Sequence, residues 1–241
     1  MDYKKYINSA AKKVSRREMK YFIGVEDYCY FRSVFPKILN EDEYNKGDKY
    51  MVRSVYFDSI ENVDFHDKID GEEVRKKIRI RIYNPHDRVA KLEVKYKFNL
   101  NQRKESLTIL KEDAIDLIEG RYESLLKYDD VMAKRVYGIM VSMLYKPKVV
   151  VEYKREAFYH SEYGIRATLD TEISSSETDF NIFSDDLAIV PVFDFTRPVL
   201  EIKYDKYLYK WFQDILSSRS CTSSSISKYC NSRQLYQDFL D

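Results

Sequence analysis

A charged side chain at every second position, in two neighbouring segments, constrains the fold of this chain more than any other feature. Between Glu73 and Tyr83, one set of alternate positions is basic from residue 75 to residue 81, and the other set is apolar apart from Lys76. The pattern returns from Lys91 to Phe98, after a turn containing Pro85. Successive side chains of a β-strand point to opposite faces, so each segment predicts a strand with one charged face. Together they predict a hairpin. The alternating basic residues are Arg75, Lys77, Arg79, Arg81, Lys91, Lys95 and Lys97.

The basic residues are concentrated in this part of the chain. The 241 residues carry 41 Lys and Arg against 40 Asp and Glu, a formal net charge of +1. From Arg75 to Lys104, however, there are eleven basic residues and two acidic ones, so the rest of the chain carries −8. The overall balance excludes a uniformly basic nucleic-acid coat and an acidic tail. The local concentration of cations indicates a specific anionic ligand.

The remaining segments mix strand and helix patterns. Strands are predicted at 15–23, 50–58, 103–110, 148–159, 165–169 and 199–205, with a weaker one at 180–183. Helices are predicted at 26–39, 59–69, 111–119, 129–144, 206–216 and 224–239. No internal repeat or linker marks a boundary, so residues 1–241 are interpreted as a single α+β domain.

Composition limits the compartment and the kind of site. No apolar run approaches the roughly 20 residues of a membrane-spanning helix, and the charged N-terminus does not resemble a signal peptide. We therefore expect a cytoplasmic protein. The sequence has three cysteines, and no two of them form a CxxC pair, so neither a disulfide framework nor a zinc site is indicated.

The shared basic face has two explanations. A half-exposed antiparallel sheet with a basic wet face is the commoner one. Such a face normally interleaves acidic residues, because like charges on neighbouring strands repel by about a few tenths of a kcal/mol or more. The alternative is a sheet curled into a barrel with its charged face inside, the reverse of the usual small barrel. Buried cations are costly unless anions compensate them, so that interior predicts a bound polyanion.

Glu201 places a carboxylate among these bases. It shares a strand face with Lys203 in the segment 199–205. A divalent ion that bridges the protein and phosphates needs such an acid. A simple Glu201–Lys203 ion pair explains the same spacing equally well.

Nine short motifs occur along almost the whole chain, from about residue 14 to residue 229. They are Glu18-x-Lys20-Tyr21, Tyr56-Phe57-Asp58, Arg79-Ile80-Arg81, Leu92-Glu93-x-Lys95, Arg103-Lys104-Glu105, Glu152-Tyr153-x-Arg155, Arg166-x-x-Leu169-Asp170, Leu200-Glu201-Ile202-Lys203 and Ser227-Lys228. In this order they resemble the VTC domain, the polyphosphate polymerase module of the vacuolar transporter chaperone complex, within the triphosphate tunnel metalloenzymes. Each motif is weak alone, but their order is specific.

The resemblance implies an antiparallel eight-stranded β-barrel tunnel with a basic interior, surrounded by helices. It also implies transfer of the ATP γ-phosphate to a growing polyphosphate chain, with a divalent metal, Mn²⁺ in preference to Mg²⁺. At matching positions, the implied catalytic residues are Lys20, Arg79, Arg81, Lys95, Arg155 and Lys228. The implied substrate-binding residues are Lys104, Tyr153, Arg166, Lys203 and Ser227. Glu201 is implied as the metal ligand, with Glu18 and Glu93 as weaker candidates in the tunnel-facing pattern.

One departure from the family pattern favours a polymerase. Hydrolytic relatives open with Glu-x-Glu-x-Lys, whereas Arg16 stands here at the first Glu position. One carboxylate fewer makes a metal-activated water less favourable. Two alternatives stay open: a triphosphatase acting on tripolyphosphate or a nucleoside triphosphate, and a non-catalytic polyphosphate-binding module.

The expected partners are ATP and polyphosphate, or another triphosphate. Nucleic acid is not expected, because Tyr96 and Phe98 fall on the face opposite Lys95 and Lys97, where they pack on helices rather than stack on bases. Because the sequence contains no membrane segment, any membrane partner is expected to be a separate chain.

Overall fold

The computed structural model describes residues 17–45, 47–98, 101–219 and 221–238. Arg16, on which the polymerase argument partly rests, lies outside these ranges. Within them, no helix is long and apolar enough to cross a membrane.

The strand and helix predictions are largely confirmed. The strands are β1 (Arg17–Phe22), β2 (Asn40–Glu41), β3 (Tyr50–Asp58), β4 (Val74–Ile82), β5 (Val89–Phe98), β6 (Asn101–Leu110), β7 (Lys146–His160), β8 (Ile165–Ser176), β9 (Val190–Pro191) and β10 (Val199–Tyr204). The helices are α1 (Val25–Ile38), α2 (Val63–Ile69), α3 (Lys111–Ile118), α4 (Val131–Ser142), α5 (Lys210–Ser217) and α6 (Lys228–Asp238), with a 3₁₀ helix at Tyr122–Lys127. This is the predicted α+β class.

Eight strands form one antiparallel path in the order β1-β10-β8-β7-β3-β4-β5-β6. The short strands β2 and β9 add to β7 and β8. The predicted hairpin is β4–β5, in which Arg79 lies opposite Glu93 and Lys77 lies opposite Lys95. The sheet curls strongly, since Lys95 Nζ donates to Glu18 Oε2 at 2.6 Å although β5 and β1 lie near opposite ends of the strand order.

The predicted antiparallel eight-stranded tunnel surrounded by helices is confirmed, but the word barrel is only approximate because the sheet does not close. In the part of the chain that the structure describes, no backbone pairing joins β1 to β6. The outer edge of β1 pairs with a loop instead: Tyr21 forms a β-bridge with Ser223, and the Ser224 amide donates to the Lys20 carbonyl at 2.9 Å. Because the loop takes up these backbone groups, the sheet is a curled, open tunnel wall rather than a hydrogen-bonded barrel.

The apolar faces of the strands point outward, against the helices. Ile78, Ile80 and Leu92 are fully buried and pack in one cluster with Val136 of α4. A second cluster joins Phe31 and Phe35 of α1 to Phe212 of α5 and to strand residues of β7, β8 and β10. Burying these outer faces leaves the charged faces on the inside of the curl, as the barrel interpretation predicted.

Tyr96 follows the same rule. It packs against the first cluster, and the Arg135 Nε donates to its hydroxyl at 3.2 Å. Lys76, the exception in the β4 alternation, has its own partner on the helix side, because its ammonium pairs with Asp64 of α2 at 2.9 Å.

The helices predicted at 59–69 and 206–216 each begin later than expected. The segment 59–69 becomes helical only at Val63, because the Asp58 carboxylate accepts hydrogen bonds from the amides of Ser59, Asp64 and Phe65. The segment 206–216 becomes helical at Lys210.

Other predicted bounds are also wrong. Residues 180–183 do not form a strand, because the Asp179 and Asn181 side chains accept from nearby amides in successive turns. The strand predicted at 165–169 runs on to Ser176. The helix predicted at 224–239 begins at Lys228, and the residues before it run beside the cavity instead; Phe239 lies outside the described residues.

Candidate functional site

The curled sheet encloses a cavity of about 280 Å³. Of the twelve residues predicted for the site, eleven line this cavity. They are Lys20, Arg79, Arg81, Lys95, Arg155, Lys228, Lys104, Tyr153, Lys203, Ser227 and Glu201. Glu18 and Glu93 line it too. Arg166 is the exception: it does not line the cavity, and its guanidinium donates to Asp42 Oδ2, in the loop after β2, at 2.6 Å.

Strand register explains why residues so distant in sequence share one wall. Residues directly opposite each other in an antiparallel pair lie on the same face. Lys20 is opposite Glu201, and Lys95 is opposite Lys104. Arg79 lies between Tyr56 on one neighbouring strand and Glu93 on the other. The alternation within each strand and these pairings together place the charged residues around one lumen.

One end of the wall is organised by Asp170, which is fully buried. Its carboxylate accepts from Arg155 Nε at 2.6 Å and Nη2 at 2.8 Å, and from Lys228 Nζ at 2.6 Å. Burial alone would raise the pKa of Asp170, but the two cations hold it below its usual value. Asp170 therefore fixes the positions of two predicted phosphate-binding residues.

Glu93 plays the same part on β5. Arg79 Nε donates to it at 2.8 Å, Lys104 also pairs with it, and Arg81 lies 3.9 Å away. These cations outweigh its burial and lower the pKa of Glu93 well below the ordinary range. Since three cations share one carboxylate, this part of the wall keeps an excess of positive charge.

Glu18 and Glu201 form a second acidic group. Lys20 lies 3.4 Å from Glu18 and 3.5 Å from Glu201, and Lys203 pairs with Glu201. The lysines lower the pKa of both carboxyl groups against their burial and, for Glu18, against repulsion from Glu201. Both are therefore ionised at neutral pH, as metal ligands must be.

These two carboxylates fit a metal that arrives with its substrate. Mg²⁺ and similar ions are commonly held by one or two carboxylates plus substrate phosphates. A free-standing site needs more ligands, and no group of three His, Cys, Asp or Glu side chains suited to a metal occurs among the described residues. The donor set matches a metal–triphosphate complex and not a structural metal site.

Several groups in the wall have pKa values close to neutral pH. Burial lowers the pKa of Lys95 to about 8, although Glu18 opposes the shift. Burial likewise lowers the pKa of Lys104 to about 8, against Glu93. The pKa of Tyr56 also falls to about 8, because Arg79 and Arg81 outweigh its burial. The wall thus becomes less positive as the pH rises through 8.

The segment from Ser223 to Tyr229 forms part of the lining. Lys77 Nζ donates to Ser227 Oγ at 2.8 Å, and Lys20 Nζ donates to the Ile226 carbonyl at 3.3 Å. Tyr229 stacks on Tyr56 with ring centroids 5.1 Å apart and donates to Asp58 at 2.6 Å. This C-terminal segment ties β1, β3 and β4 together across the lumen.

One mouth of the cavity is basic. Lys68 of α2, Arg75 of β4 and Lys97 of β5 all line it, and Lys68 Nζ donates to Ser225 Oγ at 2.8 Å. Burial and then Arg75 lower the pKa of both Lys68 and Lys97. No carboxylate within the described ranges forms an ion pair with these three side chains. The mouth is therefore suited to an anion.

Some residues of the site were missed by the sequence analysis. Alternation already places Lys77 on the charged face, although it is not among the predicted site residues, and the same alternation could have found Tyr56. Asp170 occurs in one of the nine motifs, but its role depends on Lys228, which lies 58 residues further along the chain. No sequence signal would have linked them.

The comparisons with solved structures concern the fold. A candidate adenylate cyclase from Bacillus halodurans is 17% identical, with a TM-score of 0.54, over 89% of this chain and 95% of the other. A candidate adenylyl cyclase from Hippeastrum, described as having a dominant triphosphatase activity, is 10% identical, with a TM-score of 0.56, over 91% and 95%. A chain of the Schizosaccharomyces pombe Mediator head module is 6% identical, with a TM-score of 0.50, over 87% and 98%.

The comparisons of sequence point to one family. No curated protein matches the chain. The VTC domain family matches residues 15–237, which include every element of the curled sheet and every residue lining its cavity. The chain belongs to the VTC domain family.

Proposed function

We propose that this protein is a polyphosphate polymerase, which transfers the γ-phosphate of ATP to the end of a polyphosphate chain and releases ADP. The observation that carries the proposal is the length of the cationic lining. It continues along β4 from Arg81 to Arg75, about 20 Å at the rise of a β-strand. Such a lining contacts more anion than the three phosphates of one nucleotide.

The charges of the wall serve phosphoryl transfer. Arg79 and Arg81 present guanidinium forks, which match phosphate oxygens, and Lys95 and Lys104 add point charges. In this reaction, positioning and charge neutralisation supply most of the catalysis. These cations would hold the donor and acceptor phosphates in line and stabilise the charge that develops on the departing ADP.

The reaction needs no protein nucleophile. A terminal oxygen of the acceptor chain attacks the γ-phosphorus, a new P–O bond forms, and the bond to the ADP oxygen breaks. The acceptor oxygen is already ionised, so no proton has to be removed. This fits the lining, which includes no histidine or aspartate among the described residues.

Glu201, with Glu18 beside it, would hold the divalent metal, and we propose Mn²⁺ in preference to Mg²⁺. When bound, such an ion would neutralise negative charge on the substrate phosphates. Lys20 and Lys203, which now pair with these carboxylates, would then turn to the phosphates. We further propose that residues 1–241 act as one domain and work in the cytoplasm, where ATP is supplied.

The test is product analysis. Purified protein with ATP and Mn²⁺ should yield ADP and long polyphosphate, resolved on a gel. Arg79→Ala should lower the rate at least tenfold, whereas Arg121→Ala, at an exposed ion pair outside the cavity, should leave it unchanged. Orthophosphate without polyphosphate would identify a triphosphatase and refute the proposal. Tight, salt-sensitive binding of polyphosphate without turnover would identify a binding module instead.

A further inference from the structure

Three tyrosines meet at the end of the tunnel opposite the basic mouth. Tyr50 begins β3, Tyr83 follows β4, and Tyr44 lies in the loop after β2. Their ring centroids are 5.8 to 6.2 Å apart, and the rings of Tyr44 and Tyr83 are stacked. Tyr44 is 53% exposed, whereas the other two are partly buried. We refer to these three residues as the tyrosine cluster.

The strand register places this cluster beside the phosphate-binding wall. Tyr50 lies directly opposite Arg155 on β7, and Tyr83 follows the end of β4, two positions after Arg81. Both arginines line the cavity. Arg75, at the basic mouth, is eight residues before Tyr83, or about 26 Å along the strand direction. The tunnel therefore has one aromatic end and one basic end.

The loop that carries Tyr44 is held firmly. Asp42 accepts from Arg166 Nη1 at 2.6 Å and from the Tyr44 amide at 3.2 Å. The buried Asn45 side chain donates to the Ala157 carbonyl at 2.8 Å and accepts from the Ala157 amide at 2.9 Å. Anchors on both sides of Tyr44 keep its ring at the mouth, and they give Arg166 a partner outside the cavity.

We propose that the tyrosine cluster binds the base of the nucleoside triphosphate, and this inference rests on the function proposed above. A stack of aromatic rings offers a base a flat apolar surface, which a bare phosphate chain cannot use. The open side of Tyr44 takes the base, and the triphosphate runs past Arg155 and Arg81 into the tunnel. This orients the substrate, with the γ-phosphate and the growing chain toward the basic mouth.

Stacking also sets the kind of selectivity. Every base has a π-face, so recognition by stacking tolerates different bases and depends on their stacking strength. The cluster should therefore favour purine over pyrimidine nucleotides and select against inorganic triphosphates, without strict choice of one base.

The test compares ATP, UTP and inorganic tripolyphosphate by calorimetry in wild type and Tyr44→Ala. The substitution should weaken ATP binding about 5- to 150-fold, the range for one stacked base. Tripolyphosphate binding should change less than twofold, and the preference for ATP over UTP should shrink. Tyr44→Phe keeps the ring and should bind ATP as wild type does. Tyr207→Ala, at another exposed aromatic cluster, should change nothing.

Two results would overturn the inference: equal weakening of ATP and tripolyphosphate, or no weakening of either. A melting temperature within about 2 °C of wild type shows that the Tyr44 variant is folded. Failure of the proposed function is distinguishable, because it appears in the product assay and not in this comparison. If the protein makes no polyphosphate but Tyr44→Ala still weakens ATP binding, the base site is present and only the proposed function fails. If the protein makes polyphosphate but Tyr44→Ala leaves its ATP affinity unchanged, the base site is absent and only this inference fails.

Discussion

Replacing Asp170 with asparagine removes the negative charge that Arg155 and Lys228 share. Both cations are only 8% exposed, and Asp170 is the one carboxylate within salt-bridge distance of either of them in the described chain. Asparagine preserves the size of the side chain and can still accept one hydrogen bond. The substitution therefore tests charge compensation rather than packing.

The expected loss of stability is large. Removing one partner of a buried ion pair costs about 3–5 kcal/mol, because the remaining charge is left uncompensated. For a chain of this size, 1 kcal/mol lowers the melting temperature by about 2–4 °C. We therefore expect the ligand-free Asp170→Asn variant to melt about 6–20 °C below wild type. The contribution is present above about pH 4 and is lost as the pH falls through the lowered pKa of Asp170.

Thermal unfolding followed by circular dichroism measures this difference, with Asp214→Asn as the matched control. Asp214 pairs with Lys210 on the exposed face of α5, and its loss should cost less than about 0.5 kcal/mol. Adding Arg155→Met should cost less in the Asp170→Asn background than in wild type, because there it removes an uncompensated cation. A drop no larger than that of the control, or additive effects in the double variant, would refute the account of Asp170.

Three further predictions follow from the cavity and its surroundings. Tripolyphosphate affinity should fall at least tenfold from pH 7 to pH 9, because Lys95 and Lys104 lose protons near pH 8. A variant with both lysines replaced by arginine should keep its affinity at pH 9. A wild-type affinity that does not change with pH would contradict the lowered pKa values. Asp64 is fully buried, and its burial raises its pKa to about 6, so the folded chain binds more protons than the unfolded chain between about pH 4 and pH 6. As the pH rises from about 4 to about 6, the free energy of unfolding of wild type, measured with urea, should fall by roughly 2 kcal/mol relative to that of Asp64→Asn. A difference between the two proteins that does not change with pH would contradict this prediction. Glu201→Gln should abolish the stimulation of turnover by Mn²⁺ while metal-free tripolyphosphate binding is kept or strengthened, because an anionic side chain leaves the wall; unchanged metal dependence would exclude Glu201 as a ligand.

Much of the cavity wall could be predicted from the sequences of β4 and β5. Period-2 alternation assigns each residue to a face, and the apolar face must be buried, so Arg79, Arg81 and Lys95 had to lie together on the other side. The family motifs extended this to Lys20, Arg155 and Glu201. The reasoning failed where side chains compete locally for the backbone, as Asp58 does before α2 and Asp179 does at 180–183.

The sequence by itself determined the strands, their two faces and the excess of positive charge on one of them, because these depend on neighbours along the chain. Only the tertiary structure decided which distant side chains share a charge. In the folded chain, Asp170 pairs with Lys228, and Arg166 pairs with Asp42 instead of lining the cavity. Tyr44, Tyr50 and Tyr83 lie together at one mouth. Such partnerships depend on strand order, register and curl. Those are set by the burial of whole sheet faces against helices, which no local pattern records.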